Sequence, residues 1–463
     1  MEERKTIYLC LAHMSEAGLE QKYVKEAFDT NWVVPMGPNV NAFEKDLEAF
    51  ANSKSDGKEP LDRKVVCLSA GTAAVHLALI GCGVKAGDEV LVQSFTFCAS
   101  SHPVTYLGAK PVFVGSEDET WNMDPVLLEK AILDRKEKTG KYPKAIVPVA
   151  LYGMPYRIDE IMTIADKYGI PVIEDAAEGM GSRFNGQVLG TFGKYGVLSF
   201  NGNKMITTSG GGALICNGAG AFPDASPKSS PKGKDLGDLG DGKSLPLGGD
   251  LEEASKLANE IMWYATQARD AYPYYQHSAI GYNYRMSNVC AGIGRGQMTV
   301  LNDHIAHHKH VQSLYEELLK EVPGVHIHKQ PADPRYDANF WLCAATLDAD
   351  VKIQGQENAY KEVIKTAVGG AAGVIHAVDS AVTDCQPNDN VEALRVFMLG
   401  KKVECRPVWK PMHKQPVYKG APVYTNGIEE EIFKVGFCLP AGPWVTDDDV
   451  RYIVESIKEA IVK

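Results

Sequence analysis

Short apolar runs alternate with helix-like stretches through the first part of the chain. The runs predict strands at 65–68, 89–92, 112–114, 145–149 and 172–174, and the stretches between them predict helices at 72–80, 100–106, 125–134 and 158–168. Strands that are apolar throughout and are each followed by a helix are typical of a mostly parallel sheet covered on both faces. The pattern therefore predicts an α/β domain. Ligands of such sheets lie beyond the carboxyl ends of the strands, so the residues after each strand are the first candidates for a site.

Further amphipathic stretches predict more helices outside this region. They span 16–28, 40–50, 254–268, 289–319 and 447–461. A chain of 463 residues is too long for one small core. We expect a large α/β domain over residues 1–300 and a smaller α+β domain over residues 301–463.

Two segments interrupt the pattern. Residues 218–250 are dense in Gly, Pro, Ser, Lys and Asp without an apolar period, which predicts a flexible insertion. Residues 349–390 form a second insertion, in which 357–367 is a candidate helix and the glycine-rich 369–373 ends it. For residues 218–250 a surface loop is the alternative.

Composition and charge narrow the class of protein. Hydrophobic residues make up 44% and charged residues 23% of the chain, which are ordinary globular values. A net charge of -11 argues against nucleic-acid and anionic-membrane partners. The apolar run 7–12 is too short for a signal peptide and no run is long enough to span a bilayer, so we expect a cytoplasmic protein. The ten cysteines contain no C-x-x-C pair, and no metal site is predicted.

The most distinctive chemistry lies at Lys204. The lysine stands in a turn of small and polar residues, 199–204, and is followed by three glycines at 210–212. A desolvated amine forms imines with aldehydes, so Lys204 is a candidate Schiff-base lysine for pyridoxal phosphate. A glycine-rich hairpin with a solvated lysine is the alternative.

Residues at the strand ends offer matching partners. Gly71 and Thr72 open a helix after the first strand, which predicts either a phosphate cradle or a tight turn with Thr72 near the N-cap. Phe97 follows the second strand and is either a stacking partner for a flat ring or part of the core. Ser199 precedes Lys204 by five residues and could bind the phosphate through its hydroxyl.

Asp175 follows the strand at 172–174 and carries the sharpest hypothesis. A carboxylate there can pair with a pyridinium nitrogen and keep it protonated, while Ala177 leaves room for the face of the ring. A helix-capping aspartate is the alternative. The agreement of these signals in order and chemistry favours the cofactor site.

Six motifs together resemble the DegT/DnrJ/EryC1/StrS family of sugar aminotransferases, pyridoxal-phosphate enzymes of fold type I. They span 69–79, 93–100, 173–179, 199–212, 281–288 and 406–413.

The resemblance implies a role for each motif residue around the cofactor. The phosphate would be held by Gly71, Thr72 and Ser199, and the ring would be held by Phe97, Asp175, Ala177 and Glu178. Lys204 would form the Schiff base. Glu178, which would lie near the ring hydroxyl, stands where many relatives carry Gln or His.

The resemblance also implies a homodimer with shared active sites. Asn283 would reach the phosphate in the neighbouring subunit, and Arg285 would assist. Without the resemblance, Tyr282, Tyr284 and Arg285 indicate only a surface turn.

The segment 406–413 is most similar to enzymes that aminate UDP-linked 4-keto-6-deoxy-N-acetylhexosamines. Trp409, Lys410 and His413 are then candidates for the sugar-nucleotide pocket, although a tryptophan is more often part of a core. The expected reaction moves an amino group from L-glutamate to the C4 keto group of the sugar. Alternatives are a GDP- or dTDP-linked substrate, a dehydrating relative, which the presence of Lys204 disfavours, and a non-catalytic sugar-nucleotide-binding protein.

Overall fold

A computed structural model describes residues 4–53, 63–218, 251–360 and 385–462. Its α-helices are α1 (Leu19–Asp29), α2 (Pro38–Ala51), α3 (Gly71–Gly81), α4 (His102–Tyr106), α5 (Pro125–Thr139), α6 (Ile158–Tyr168), α7 (Leu251–Ala265), α8 (Asn288–Met298), α9 (Leu301–Leu318), α10 (Asp389–Gly400), α11 (Ile428–Val435) and α12 (Asp447–Ala460). Its strands are β1 (Arg63–Leu68), β2 (Glu89–Gln93), β3 (Lys110–Val114), β4 (Ala145–Val147), β5 (Ile173–Asp175), β6 (Arg183–Phe184), β7 (Gln187–Val188), β8 (Tyr195–Ser199), β9 (Gly212–Asn217), β10 (Val325–Ile327), β11 (Tyr336–Asp337), β12 (Cys343–Leu347), β13 (Arg406–Pro407), β14 (Val423–Tyr424) and β15 (Gly436–Leu439).

The large sheet is mostly parallel. Strands β1, β9, β8 and β5 are neighbours in that order, as are β14, β3, β2 and β4. Parallel bridges from Ile146 to Val172 and from Val149 to Asp175 join the two sets beside β4 and β5. Strand β9 is the exception, because it runs antiparallel to both of its neighbours. It returns directly from β8 through the loop that carries Lys204, so this part of the sheet is a wide hairpin.

Both faces of this sheet are covered, which explains its continuous apolar strands. Along β2, Val90 and Val92 belong to one hydrophobic cluster, whereas Leu91 belongs to the cluster on the other side. Helix α3 packs in the first cluster and is buried along nearly its whole length. The α/β architecture predicted from the sequence is confirmed.

A second, antiparallel sheet organises the C-terminal part of the chain. Its strand order is β10, β12, β15 and β13. Residues of α9, α10 and α12 form a separate hydrophobic cluster with it. Three pairings cross the predicted division at residue 300, because Ile7 bridges to Val403, β14 pairs with β3 and β11 pairs with β6. The division into 1–300 and 301–463 stays a prediction.

Several predicted helices have different bounds, and α5, for example, runs to Thr139 rather than to residue 134. The stretch 289–319 is two helices, because Val300, with φ -112° and ψ 4°, leaves helical geometry between them, and the Thr299 hydroxyl donates to Gly296 O at 2.6 Å. Helix α7 ends at Ala265 rather than at residue 268, since Thr266 bridges to Asn283 instead. The insertion at 219–250, most of the candidate helix at 357–367 and the glycines at 369–373 lie outside the described residues.

Among the described residues, no helix is long and apolar enough to cross a membrane.

Candidate active site

A cavity of about 250 Å³ lies at the carboxyl ends of β1, β2, β5 and β8. Nine residues singled out from the sequence line it: Gly71, Thr72, Phe97, Asp175, Ala177, Glu178, Ser199, Lys204 and Trp409. The cavity is where the strand-end rule for parallel sheets places it. Asn283, Arg285, Lys410 and His413 are not among the lining residues that the structure describes.

One end of the cavity is formed by the start of α3. Within the described residues no side chain caps this helix, so its first backbone N–H groups are available to an anion. A β-carbon on Gly71 would lie 3.0 Å from the Ser199 Cβ and 3.3 Å from its Oγ. A β-carbon on Gly212 would lie 2.4 Å from the Gly71 nitrogen. Glycine at positions 71 and 212 lets the start of α3 lie directly against the end of β8 and the start of β9. The Ser199 hydroxyl is thereby placed beside the N terminus of α3.

Asp175 stands at the end of β5 and is buried. One carboxylate oxygen accepts a hydrogen bond from the Ser100 hydroxyl at 2.6 Å, and the other accepts from the Ala177 N–H at 3.2 Å. Burial raises the pKa of Asp175, while Ser100, Ala177 and the charge of Lys204 act in the opposite direction. Because Asp175 begins no helix, the capping alternative does not apply.

Glu178 and Lys204 form a shielded ion pair. Lys204 Nζ lies 3.6 Å from Glu178 Oε1, with 13% of the lysine side chain and 4% of the glutamate side chain exposed. The other carboxylate oxygen of Glu178 accepts from the Tyr152 N–H at 2.7 Å. Burial raises the pKa of Glu178, and Lys204 is the strongest influence in the other direction. Lys204 is therefore not the solvated lysine of the alternative interpretation.

Trp341 completes the surroundings of Lys204. Its ring centroid lies 4.1 Å from Lys204 Nζ, and its indole N–H donates to the Asn203 carbonyl at 2.6 Å. Nothing near Trp341 in the sequence pointed to this contact, because β12 begins two residues later and belongs to the second sheet.

Two aromatic residues form the open wall of the cavity. Phe97 is 49% exposed, which excludes the core alternative, and its ring lies 5.3 Å from that of Trp409. The Tyr152 hydroxyl accepts a hydrogen bond from the backbone N–H of Trp409 at 2.8 Å. Tyr152 has a φ of 54°, a left-handed conformation that bulky residues rarely adopt. It follows the predicted strand at 145–149, so the strand-end rule could have identified it.

His413 is engaged away from the cavity lining. The Ser94 hydroxyl lies 2.6 Å from His413 Nδ1, and Glu430 lies 3.0 Å from His413 Nε2. A carboxylate accepts hydrogen bonds, so Nε2 carries a proton and donates to Glu430. The ring fastens the segment after Trp409 to the end of β2. The geometry thus gives no support to a sugar contact by His413, and the Lys410 side chain likewise does not line the cavity.

Asn283 and Arg285 lie beside β1 rather than in the cavity of their own chain. Asn283 is exposed and bridges to Thr266, while Arg285 bridges to Leu68. The Ser69 N–H also donates to the Tyr284 carbonyl at 2.8 Å. These contacts fix the segment next to the turn that precedes Gly71, with the Asn283 side chain facing outward.

The residues present fit the predicted cofactor. A helix start with a neighbouring hydroxyl suits a phosphate, a buried carboxylate suits a protonated ring nitrogen, and the shielded amine of Lys204 lies in the same cavity. Ala177 lines the space between them without a bulky side chain.

Comparison with known proteins agrees with this geometry. The model of the DegT/DnrJ/EryC1/StrS aminotransferase family matches residues 15–221, 251–369 and 356–458. The chain is 37% identical over 458 residues to EpsN of Bacillus subtilis strain 168, a putative pyridoxal phosphate-dependent aminotransferase, covering 97% of this chain and 95% of that protein. It is 29% identical over 452 residues to the GDP-perosamine synthase of Escherichia coli O157:H7, covering 98% of each.

The fold has close counterparts among solved structures. The putative sugar aminotransferase Spr1654 from Streptococcus pneumoniae, in its PLP form, superposes with a TM-score of 0.74 at 19% identity, covering 98% of each chain. The likeness confirms the predicted fold type, and the family match confirms the predicted aminotransferase class. The chain belongs to the DegT/DnrJ/EryC1/StrS aminotransferase family.

Proposed function

We propose that this enzyme, a pyridoxal-phosphate aminotransferase, transfers an amino group from L-glutamate to the C4 keto group of a nucleotide-linked 4-keto-6-deoxy sugar. The single observation that carries the assignment of the site is the convergence of Lys204, Asp175 and the α3 N terminus on one cavity. The name of the EpsN relative states the same cofactor and class of reaction for that protein.

The two ends of the cavity would bind different parts of the cofactor. The N–H groups at the start of α3, with the hydroxyls of Thr72 and Ser199, would hold the phosphate. Asp175 would hold a proton on the ring nitrogen, and Phe97 would cover one face of the ring. When bound, the cofactor supplies the aldehyde for the amino group and the electron-poor ring that stabilises negative charge on the substrate carbon.

Lys204 moves the proton. Once its amine is free, it would take the proton from the α-carbon of the amino donor and pass it to the cofactor. With the keto sugar it would take a proton back from the cofactor and deliver it to C4 of the sugar. Glu178 Oε1 lies 3.6 Å from the amine and forms an ion pair with it. Phe97 and Trp409 form the open wall, where the sugar enters. Because Lys204 and Asp175 are both present and face one cavity, a non-catalytic binding protein is disfavoured.

The active unit is proposed to be a homodimer with shared sites. The segment 269–280 presents several exposed apolar side chains next to Asn283: Tyr272, Tyr274, Tyr275 and Ile280, the last 86% exposed. An exposed apolar cluster of this kind is typical of a surface covered by a partner chain. Asn283 and Arg285 would then act on the site of the neighbouring subunit.

The test of the central assignment is spectroscopic. The purified protein is expected to be yellow with a visible band that borohydride removes, and Lys204→Ala is expected to lose that band and all amination activity. Lys194→Ala serves as a control, since Lys194 donates to the Gly81 carbonyl away from the cavity. A colourless protein that takes up no pyridoxal phosphate would contradict the proposal.

The nucleotide is proposed to be UDP, with an N-acetylhexosamine as the sugar, because segment 406–413 is most similar to that branch. A GDP-linked sugar is the second candidate, because the Escherichia coli relative that matches over 98% of both chains is a GDP-perosamine synthase. Glutamate-dependent amination measured with UDP-, GDP- and dTDP-linked 4-keto sugars separates them. Turnover of only a GDP- or dTDP-linked sugar would exclude the UDP assignment.

A further inference from the structure

Trp341 belongs to the C-terminal part of the chain yet lies directly against Lys204. Its side chain is 1% exposed, and its ring centroid is 4.1 Å from Lys204 Nζ. The same indole donates its N–H to the Asn203 carbonyl, one residue before the lysine. A single side chain therefore contacts both the amine and the backbone of the turn that carries it.

The backbone of Trp341 is fixed by Asn339. The Asn339 side-chain oxygen accepts from the Trp341 N–H at 2.9 Å, and its amide donates to the carbonyls of Glu178 and Met180, each at 2.9 Å. Asn339 is fully buried. Because an Asn amide that makes all these bonds has little freedom, Trp341 is tied to the segment that carries Glu178.

Helix α9 supports both sides of the contact from behind. His304 Nδ1 lies 3.1 Å from the Met205 carbonyl, and His308 Nδ1 lies 3.1 Å from the Phe340 carbonyl. Residues four apart share one face of a helix, so the two rings act together. Burial lowers the pKa of His308 to about 3 and lowers that of His304, which keeps both rings neutral near pH 7. Each can then donate from Nδ1 to its carbonyl.

We propose that Trp341 is a positioning residue for Lys204, and that its indole face holds the amine whenever the lysine is not bonded to the cofactor. A cation over an indole face is attracted by the ring quadrupole, and Glu178 lies on the same amine at 3.6 Å. Transamination requires the lysine to leave the cofactor and return. A long side chain that is kept near its point of attack loses less entropy at each return. The inference rests on the proposed Schiff-base role of Lys204.

The experiment measures how fast Lys204 bonds to the cofactor. Cofactor-free protein is mixed with pyridoxal phosphate, and growth of the borohydride-reducible visible band is followed by stopped flow. Trp341→Leu removes the aromatic face, Trp341→Phe keeps a weaker one, and Trp121→Leu is the matched control. Trp121 is also buried, but it stacks on His328 and does not line the cavity.

The expected order of rates tests the aromatic face itself. Band formation should be at least tenfold slower in Trp341→Leu, within about threefold of wild type in Trp341→Phe, and unchanged in Trp121→Leu. The thermal midpoint of each variant shows that it is folded. If Trp341→Leu does not fold, Trp341→Met replaces it, because methionine fills irregular core space well.

The outcomes separate this inference from the proposed function. A folded Trp341→Leu or Trp341→Met protein that forms the band at the wild-type rate would overturn the role of Trp341 and leave Lys204 in place. A Lys204→Ala protein that still forms a reducible band would instead overturn the proposed function.

Discussion

The two carboxylates of the site, Asp175 and Glu178, depend on hydrogen-bond partners that fix their charge and their orientation. Asp175 is buried, yet two hydrogen bonds to its oxygens favour the ionised form that a protonated ring nitrogen needs. Glu178 is directed by the backbone N–H of Tyr152, whose own backbone is held in a left-handed conformation. The electrostatics of the site therefore depend on residues that do not line the cavity.

Asp175→Asn should abolish most of the activity. An amide cannot stabilise a proton on the ring nitrogen, so we expect amination to fall by about 10²-fold or more while pyridoxal phosphate still binds. The measurement is the single-turnover rate with L-glutamate, alongside the visible spectrum. Asp166→Asn, on the outer side of α6, is the control and should behave as wild type. An active Asp175→Asn enzyme would contradict the assigned role.

Ser100→Ala should weaken the enzyme less than loss of Asp175 itself. The Ser100 hydroxyl donates to Asp175 at 2.6 Å, and hydrogen bonds to charged groups contribute about 1.5–3 kcal/mol. Without this donor the pKa of Asp175 should rise further, so kcat/KM should fall about tenfold and the acidic limb of its pH profile should move to higher pH. Ser101→Ala is the control, because Ser101 donates to Cys98 O instead. An unchanged pH profile would show that Ser100 is only structural.

At the scale of elements, the turns at the strand ends could be predicted from the sequence. The residues that pack behind those turns could not. The turns after β1, β5 and β8 carry local signals, namely a small-residue turn before a helix, a carboxylate after an apolar strand and a lysine among glycines. Trp341, Asn339 and the α9 histidines approach from distant parts of the chain, and no local pattern specifies that approach. The antiparallel direction of β9 also depends on how the Lys204 loop closes, which hydrophobic periodicity does not encode.

The support from α9 should make the fold sensitive to acid. Burial lowers the pKa of His308 to about 3, below its ordinary value of about 6.5, so the folded protein binds fewer protons there than the unfolded chain. The contribution of neutral His308 to the free energy of unfolding is therefore fully present above about pH 6.5 and is lost as the pH falls towards 3. His308→Gln should reduce the slope of unfolding free energy against pH by up to about 1.4 kcal/mol per pH unit in that range. Urea unfolding between pH 7 and 4.5 measures it, and equal slopes would contradict the prediction.

At the scale of the whole molecule, we propose that the site is complete only in a pair of chains. The cavity contains the proposed cofactor residues of its own chain, whereas Asn283 faces outward beside an exposed apolar cluster. A surface this apolar is costly to leave in water. Assembly and activity are therefore expected to be lost together.

Ile280→Glu should convert the protein to an inactive monomer. A charge at this exposed position would have to be buried against a partner chain, which is unfavourable without a counter-charge. Sedimentation velocity measures the assembly. Val126→Glu is the matched control, because Val126 is also strongly exposed, at 75%, but lies on α5 away from the cluster. A dimeric Ile280→Glu protein would place the interface elsewhere.

The proposed sharing of sites between two chains can be tested by complementation. Lys204→Ala and Asn283→Ala are each expected to be impaired as homodimers, because every site carries one defect. After unfolding and refolding as an equal mixture, half of the dimers are mixed and each has one site without a defect, so activity should return to about a quarter of wild type. No recovery from a mixture shown to contain mixed dimers would mean that Asn283 serves its own chain.

The pairing of β14 with β3 delays completion of the large sheet until the end of synthesis. Residues Val423 and Tyr424 complete one edge of the large sheet, although β3 leaves the ribosome some three hundred residues earlier. Until the last part of the chain has been synthesised, the N–H and C=O groups along that edge of β3 have no partner, and such edges pair readily with other chains. The nascent protein is therefore expected to depend on chaperones, and a fragment ending at residue 300 to precipitate on expression.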